Sequence, residues 1–257
     1  MKPRDEFCKT GNVDDHLLLI LVKSSVHHFD QRCVIRETWG STSNISNVQI
    51  KVAFLLGLST NGSHQHNVLV EDRQHGDIVV GSYYDAYRNL TVKSLMGLKW
   101  SYQFCGNADF VLLVDDDAFL NLPIILQSYI INTKNSTKRN VLHCGNELLK
   151  KAVVERKGKY FVPEEVYDLP FYPDYCNGIC FIMSHDIAHT LYLTSKRTHS
   201  DIAIDDAYIT GILRYKAQVP LDTMQAGSCL YFSNDLDDVK TKLREEWQRI
   251  STSITDL

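Results

Sequence analysis

The chain has 257 residues, 44% of them hydrophobic, enough for one large domain with a sizeable core. A net charge of −4 leaves no basic surplus for a nucleic-acid backbone, which disfavours nucleic acid, and no nucleic-acid partner is expected. The longest aliphatic run, Leu17 to Val22, has six residues, against the roughly twenty needed to span a membrane, so the sequence is that of a soluble chain.

Short apolar runs come first and recur along the chain: "HLLLILV" (16–22), "VQIKVAFLL" (48–56), "GDIVV" (76–80), "FVLLV" (110–114) and "NVLHCG" (140–145). They alternate with helix-length segments, the pattern of β-α-β units and a mostly parallel sheet. A first helix is predicted over about Phe29–Trp39, closed by Gly40, and a second over about Leu90–Phe104. Asn121 caps a third, with Pro123 in its first turn, running to about Tyr129. "AVVERKGKYFVP" is expected to form a hairpin turning near Lys157–Gly158, followed by a Pro- and Tyr-rich loop through Tyr175. Further helices are expected at about Asp186–Leu193, Asp206–Tyr215 and Asp235–Ile250. No repeat, linker or low-complexity tract divides the chain, which is expected to be one domain over residues 1–257.

Seven cysteines occur without a CxxC pair, which argues against a structural zinc site, and their odd number leaves at least one unpaired. Sequons at Asn44, Asn61, Asn89 and Asn135 lean towards the secretory pathway. An oxidising compartment fits both features, so an N-terminal targeting segment is expected to precede the chain.

Chemistry concentrates in "FVLLVDDDAFLN" (110–121), where an apolar strand runs into Asp115, Asp116 and Asp117. In an open α/β sheet, ligands gather beyond the carboxyl ends of the strands. Strand alternation puts Asp115 and Asp117 on one side and Asp116 on the other. Two carboxylates about 6 Å apart repel by roughly 3 kcal/mol at an effective dielectric of 20, a cost that a hard divalent cation offsets. A helix cap plus solvated loop charges is the alternative.

The triplet does not stand alone. In order along the chain lie "CVIRETWG" (33–40), "YYDAYRNLTVKSLMGLKW" (83–100), the acidic block, "YPDYCNGICFIMS" (172–184) and "DDAYITGIL" (205–213). Together they resemble the β-1,3-glycosyltransferase family of β-1,3-galactosyltransferases and β-1,3-N-acetylglucosaminyltransferases. That resemblance implies a single GT-A-like α/β domain, a mixed, mostly parallel sheet with helices on both faces. It also implies an inverting, Mn²⁺- or Mg²⁺-dependent hexosyltransferase that moves a sugar from UDP-sugar to a glycan acceptor on a glycoprotein or glycolipid. The expected location is the Golgi lumen, on an N-terminal signal-anchor absent from this chain.

Residue by residue, the resemblance implies Asp117 and Asp115 as metal ligands and Asp206 as general base, with Asp205 in place of the usual Glu. It puts Asp115, Asp116, Arg36, Lys93 and Gly178 on the nucleotide-sugar, and Trp39 in packing. It also implies a Cys105–Cys176 disulfide. Leu113, Ile179 and Cys180 depart from the family pattern. So does Phe232, which stands where the family has a metal-binding His; a phenyl ring cannot ligate a hard cation. The alternative is therefore a catalytically silent relative that binds a glycan or protein partner.

Overall fold

The computed structural model describes residues 6–9, 16–131, 139–198, 201–232 and 236–254. The sequon Asn135 and the expected helix start at Asp235 lie outside these.

Residues Leu17 to Val22 alternate between the two faces of a sheet buried on both sides. Leu18, Ile20 and Val22 join one core cluster and Leu17, Leu19 and Leu21 the other. Covering both faces is what a continuous apolar strand requires. Among the described residues the main sheet has eight strands. Its order is Asp222–Thr223, Leu142–Cys144, Cys180–Ser184, Phe110–Asp115, His16–Lys23 and Val48–Leu58, whose outer side is shared by Asn44–Ile45 and Ile78–Tyr84. The pairings are parallel except those of Cys180–Ser184 and Asn44–Ile45. Helices cover both faces: Val34, Ile35, Val239 and Leu243 pack on one, Leu98, Trp100, Ile187 and Leu191 on the other. The α/β architecture and mixed, mostly parallel sheet expected from the sequence are present.

Helix boundaries follow local chemistry. Phe29–Glu37 passes into a tighter turn at Trp39–Ser41, and Leu90–Phe104 matches its expected span. Asn121 accepts from the Ile124 N–H at the start of Leu122–Leu126. The sequence pattern did not reveal the helix Gly62–His75, whose mixed faces carry little apolar periodicity. Asn61 caps it, and Gly76 ends it at φ 70°, a left-handed geometry that glycine adopts without strain.

Two expectations are corrected. The chain turns at Gly158, but the hairpin strands are absent; a single bridge pairs Val153 with Phe171, because prolines 163, 170 and 173 remove ladder donors. The disulfides are Cys8–Cys105, Cys144–Cys176 and Cys180–Cys229, so Cys105 and Cys176 each pair elsewhere and Cys33 is free. No helix among the described residues is long and apolar enough to cross a membrane.

Candidate active site

Strand register assembles the site. Lys23 and Asp115, the last residues of neighbouring parallel strands, are register partners. The antiparallel strand arrives from the other direction, and the Asp115 N–H donates to the Ile179 carbonyl at 2.9 Å, which sets Gly178 beside the same edge. Lys23, 5% exposed, spends its ammonium on Asp115 Oδ1 (3.0 Å), Asp205 Oδ2 (3.1 Å) and the Gly178 carbonyl (3.0 Å). Ser94 Oγ donates to Asp205 Oδ2 at 2.6 Å. Burial disfavours the Lys23 charge, but Asp115 and Asp205 overcome that and hold its pKa above the ordinary lysine range.

These contacts leave a cleft of about 570 Å³ that holds Asp115, Asp117, Gly178 and Asp206 together. Asp206 divides its carboxylate. Oδ1 accepts from its own helix start, the Ala207 N–H, at 2.8 Å. Oδ2 faces Gly178, where a Cβ would stand only 3.0 Å away, so glycine keeps this approach open. The carboxylate is therefore held at both oxygens, by the Ala207 and Gly178 backbone, at the wall of the cleft. Burial, then Asp205, pushes the Asp206 carboxyl up to about 6.

Asp117 Oδ1 is buried without a hydrogen-bond partner, and burial, then Asp116, raises that carboxyl to about 6. Asp115 keeps 35% of its side-chain surface open, yet desolvation lifts it to about 7 against the pull of Lys23. Asp116 turns the other way, onto His28 Nδ1 at 2.9 Å, and the hydrogen bond raises the His28 pKa. The expected split of the triplet is thus the observed one.

Three expected nucleotide ligands do not line the cleft: Asp116, which is turned onto His28, Arg36 and Lys93. Arg36 pairs with Glu71 and Asp77, both at 2.8 Å, and lies over the Phe54 ring. Lys93, 2% exposed, bonds Asp85 at 2.9 Å and the Ser24 carbonyl. Each of these two cations neutralises an acidic side chain of the frame. Trp39 is fully buried and donates to the Ala118 carbonyl, a packing position. Phe232 packs against the core, while Tyr231, brought in by pairing with Ala118, lines the cleft.

Lys23, Ser94, Tyr160 and Tyr231 escaped the sequence. For Lys23 a signal existed, a charge closing an apolar run as Asp115 closes another. For the others there was none, since contacts across 111 residues leave no local pattern.

A family model described as Galactosyltransferase matches residues 30–225. The chain is 33% identical over 217 residues to the Lactosylceramide 1,3-N-acetyl-beta-D-glucosaminyltransferase A of Danio rerio, covering 80% of this chain and 55% of that protein. It is 33% identical over 198 residues to Beta-1,3-galactosyltransferase 1 of Homo sapiens, covering 77% and 60%. The chain thus spans little more than half the length of these curated relatives. Among solved structures it aligns with a 4-diphosphocytidyl-2C-methyl-D-erythritol synthase from Anaerococcus prevotii at TM-score 0.46 and 12% identity, covering 89% of this chain and 96% of that one.

Proposed function

This chain belongs to the galactosyltransferase family, and from that premise we propose that it is an inverting β-1,3-hexosyltransferase. It moves galactose or N-acetylglucosamine from a UDP-sugar to a glycan acceptor on a glycoprotein or glycolipid. The observation that carries this reading is the divided carboxylate of Asp206, with Oδ2 turned to Gly178 in the cleft it shares with Asp115 and Asp117. Inversion needs a base that takes the acceptor proton as the hydroxyl attacks opposite the leaving group; a carboxylate lining the cleft, oriented by the Ala207 and Gly178 backbone, suits that role. Lys23 and Ser94 keep Asp205 occupied, so Asp206 alone of the pair serves the acceptor.

The unpartnered Asp117 Oδ1 fits a divalent cation, Mn²⁺ or Mg²⁺, which accepts one or two carboxylates and completes its shell with water and phosphate oxygens. Asp117 is the direct ligand in this proposal. Asp115, engaged by Lys23, is the secondary one. When bound, the ion stabilises the charge that develops on departing UDP. Family membership, three disulfides among the described residues and the sequons support a Golgi-lumenal setting for a full-length protein anchored through an N-terminal segment.

Replacing Asp206 by Asn tests the base. Transfer should fall by about 10²–10⁴ while UDP affinity, read by calorimetry, stays nearly unchanged; undiminished turnover removes Asp206 from the role. One observation favours a second reading, a silent relative that binds a glycan or protein. Among the described residues no group of three or more His, Cys, Asp or Glu could hold a metal, and Phe232 adds no ligand. UDP binding that strengthens with Mn²⁺ supports the enzyme; absent or metal-indifferent binding supports the silent relative.

A further inference from the structure

One wall of the cleft is aromatic, and nothing in the proposed chemistry uses it. Tyr87 and Tyr160 stand 45% and 42% exposed, with ring centroids 6.5 Å apart and planes inclined by 52°. Lys159 Nζ lies 4.9 Å from the first ring and 5.2 Å from the second. All three line the cleft, as does Glu155.

The wall is held by its main chain. The Arg156 guanidinium donates to the carbonyls of Val162 (2.9 Å), Tyr167 (2.8 Å) and Leu169 (3.2 Å), and Arg88 donates to that of Phe161 (2.9 Å). Backbone bonds from Val154 to Pro170 and from Val162 to Glu155 close the segment. A planar guanidinium fixes three carbonyls of the loop, while the Tyr160 side chain hydrogen-bonds that of Tyr87 and Lys159 lies over both rings, so the aromatic pair is set as a unit. The result is a pre-organised pair of half-bare rings flanked by one cation and one carboxylate, inside a concave site.

We propose that Tyr87, Tyr160, Lys159 and Glu155 form a subsite for a pyranose unit of the acceptor glycan. The identity of the ligand rests on the glycosyl-transfer reading. A pyranose has an apolar face of C–H groups and a rim of hydroxyls; the face suits an aromatic ring, and the rim suits a donor and an acceptor placed to either side. A purely apolar ligand would make no use of the exposed Lys159 ammonium and Glu155 carboxylate that line the same cleft.

Titration calorimetry with methyl β-lactoside and methyl β-N-acetyllactosaminide tests this without requiring turnover. The unaltered chain should bind at least one of the two. Tyr160→Ala should weaken that binding by about three- to tenfold, the scale of one aromatic contact. Tyr160→Phe, which keeps the ring, should stay within about twofold, and UDP affinity should not move in either variant. No saturable binding of either disaccharide by the unaltered chain, or unchanged affinity in Tyr160→Ala, overturns the subsite. Tyr160 is exposed, so thermal midpoints should match and rule out misfolding. The two readings fail separately: binding through Tyr160 without any transfer sinks the enzyme and keeps the subsite, whereas undisturbed acceptor use by Tyr160→Ala does the reverse.

Discussion

On the side of Asp115 and Asp117, the cleft is shaped by backbone. Strand Phe110–Asp115 is clamped between His16–Lys23 and Cys180–Ser184, and its first five residues are almost wholly buried. On the side of Tyr160, Tyr175 and Asp206, the chain is shaped by side chains and covalent links: the Arg156 guanidinium, the Cys144–Cys176 bridge and the Cys176 N–H bonded to Thr210 Oγ1 at 2.9 Å. A ladder fixes strand ends cooperatively and without regard to which apolar residue fills each position. Point contacts fix a loop only while every pin is in place. Under the proposed reading, the first wall would frame the donor and the second would meet the acceptor.

Lys23 joins the two walls, and removing it should have the largest effect. Lys23→Met leaves Asp115 and Asp205 without their shared cation, and deleting one partner of a buried ion pair typically costs about 3–5 kcal/mol. Urea unfolding measures it. A loss below about 1 kcal/mol would mean that the walls are held independently of this contact. Next comes the Cys144–Cys176 bridge, which spans 32 residues and on chain-entropy grounds is worth about 3–4 kcal/mol. In the Cys144→Ala, Cys176→Ala variant, disaccharide affinity should fall while UDP affinity holds, because the ladder does not depend on that link. Equal loss of both would erase the distinction between the walls.

This division also explains what was legible in the sequence. The strands around Leu17–Val22 and Phe110–Val114, and the opposed directions of Asp115 and Asp116, follow from burial and a two-residue period, so they could be read directly. Cys180–Ser184 is as apolar as its neighbours, but its antiparallel insertion depends on a long irregular connection, which periodicity does not encode. The disulfide partners failed for the same reason: Cys105 meets Cys8 across 97 residues, a closure that no spacing rule dictates. Asp206 emerged through resemblance alone. Locally it is a helix cap, and only the folded chain, with Gly178 against Oδ2, distinguishes it from any other.

The smallest effect concerns pH and Asp206 itself. Folded, its carboxyl titrates at about 6 because burial and Asp205 disfavour the charge, whereas a free aspartate titrates near about 3.9. Between those values the folded chain keeps a proton that the unfolded chain has released. The stability associated with this group is thus fully present below about 3.9 and lost as pH rises through about 6, a difference of roughly 2–3 kcal/mol. Asp206→Asn never ionises, and its side-chain oxygen can still accept from the Ala207 N–H. It should therefore be more stable than the unaltered chain at pH 7 and match it near pH 4, with Asp115 and Asp117 contributing equally to both proteins. Transfer by the unaltered chain should fall on the acid side with a midpoint near about 6, as the base takes up its proton. Stability curves that stay parallel between pH 4 and 7 would show that Asp206 is solvated in the fold, and an acid limb far below 6 would assign the catalytic proton to another group.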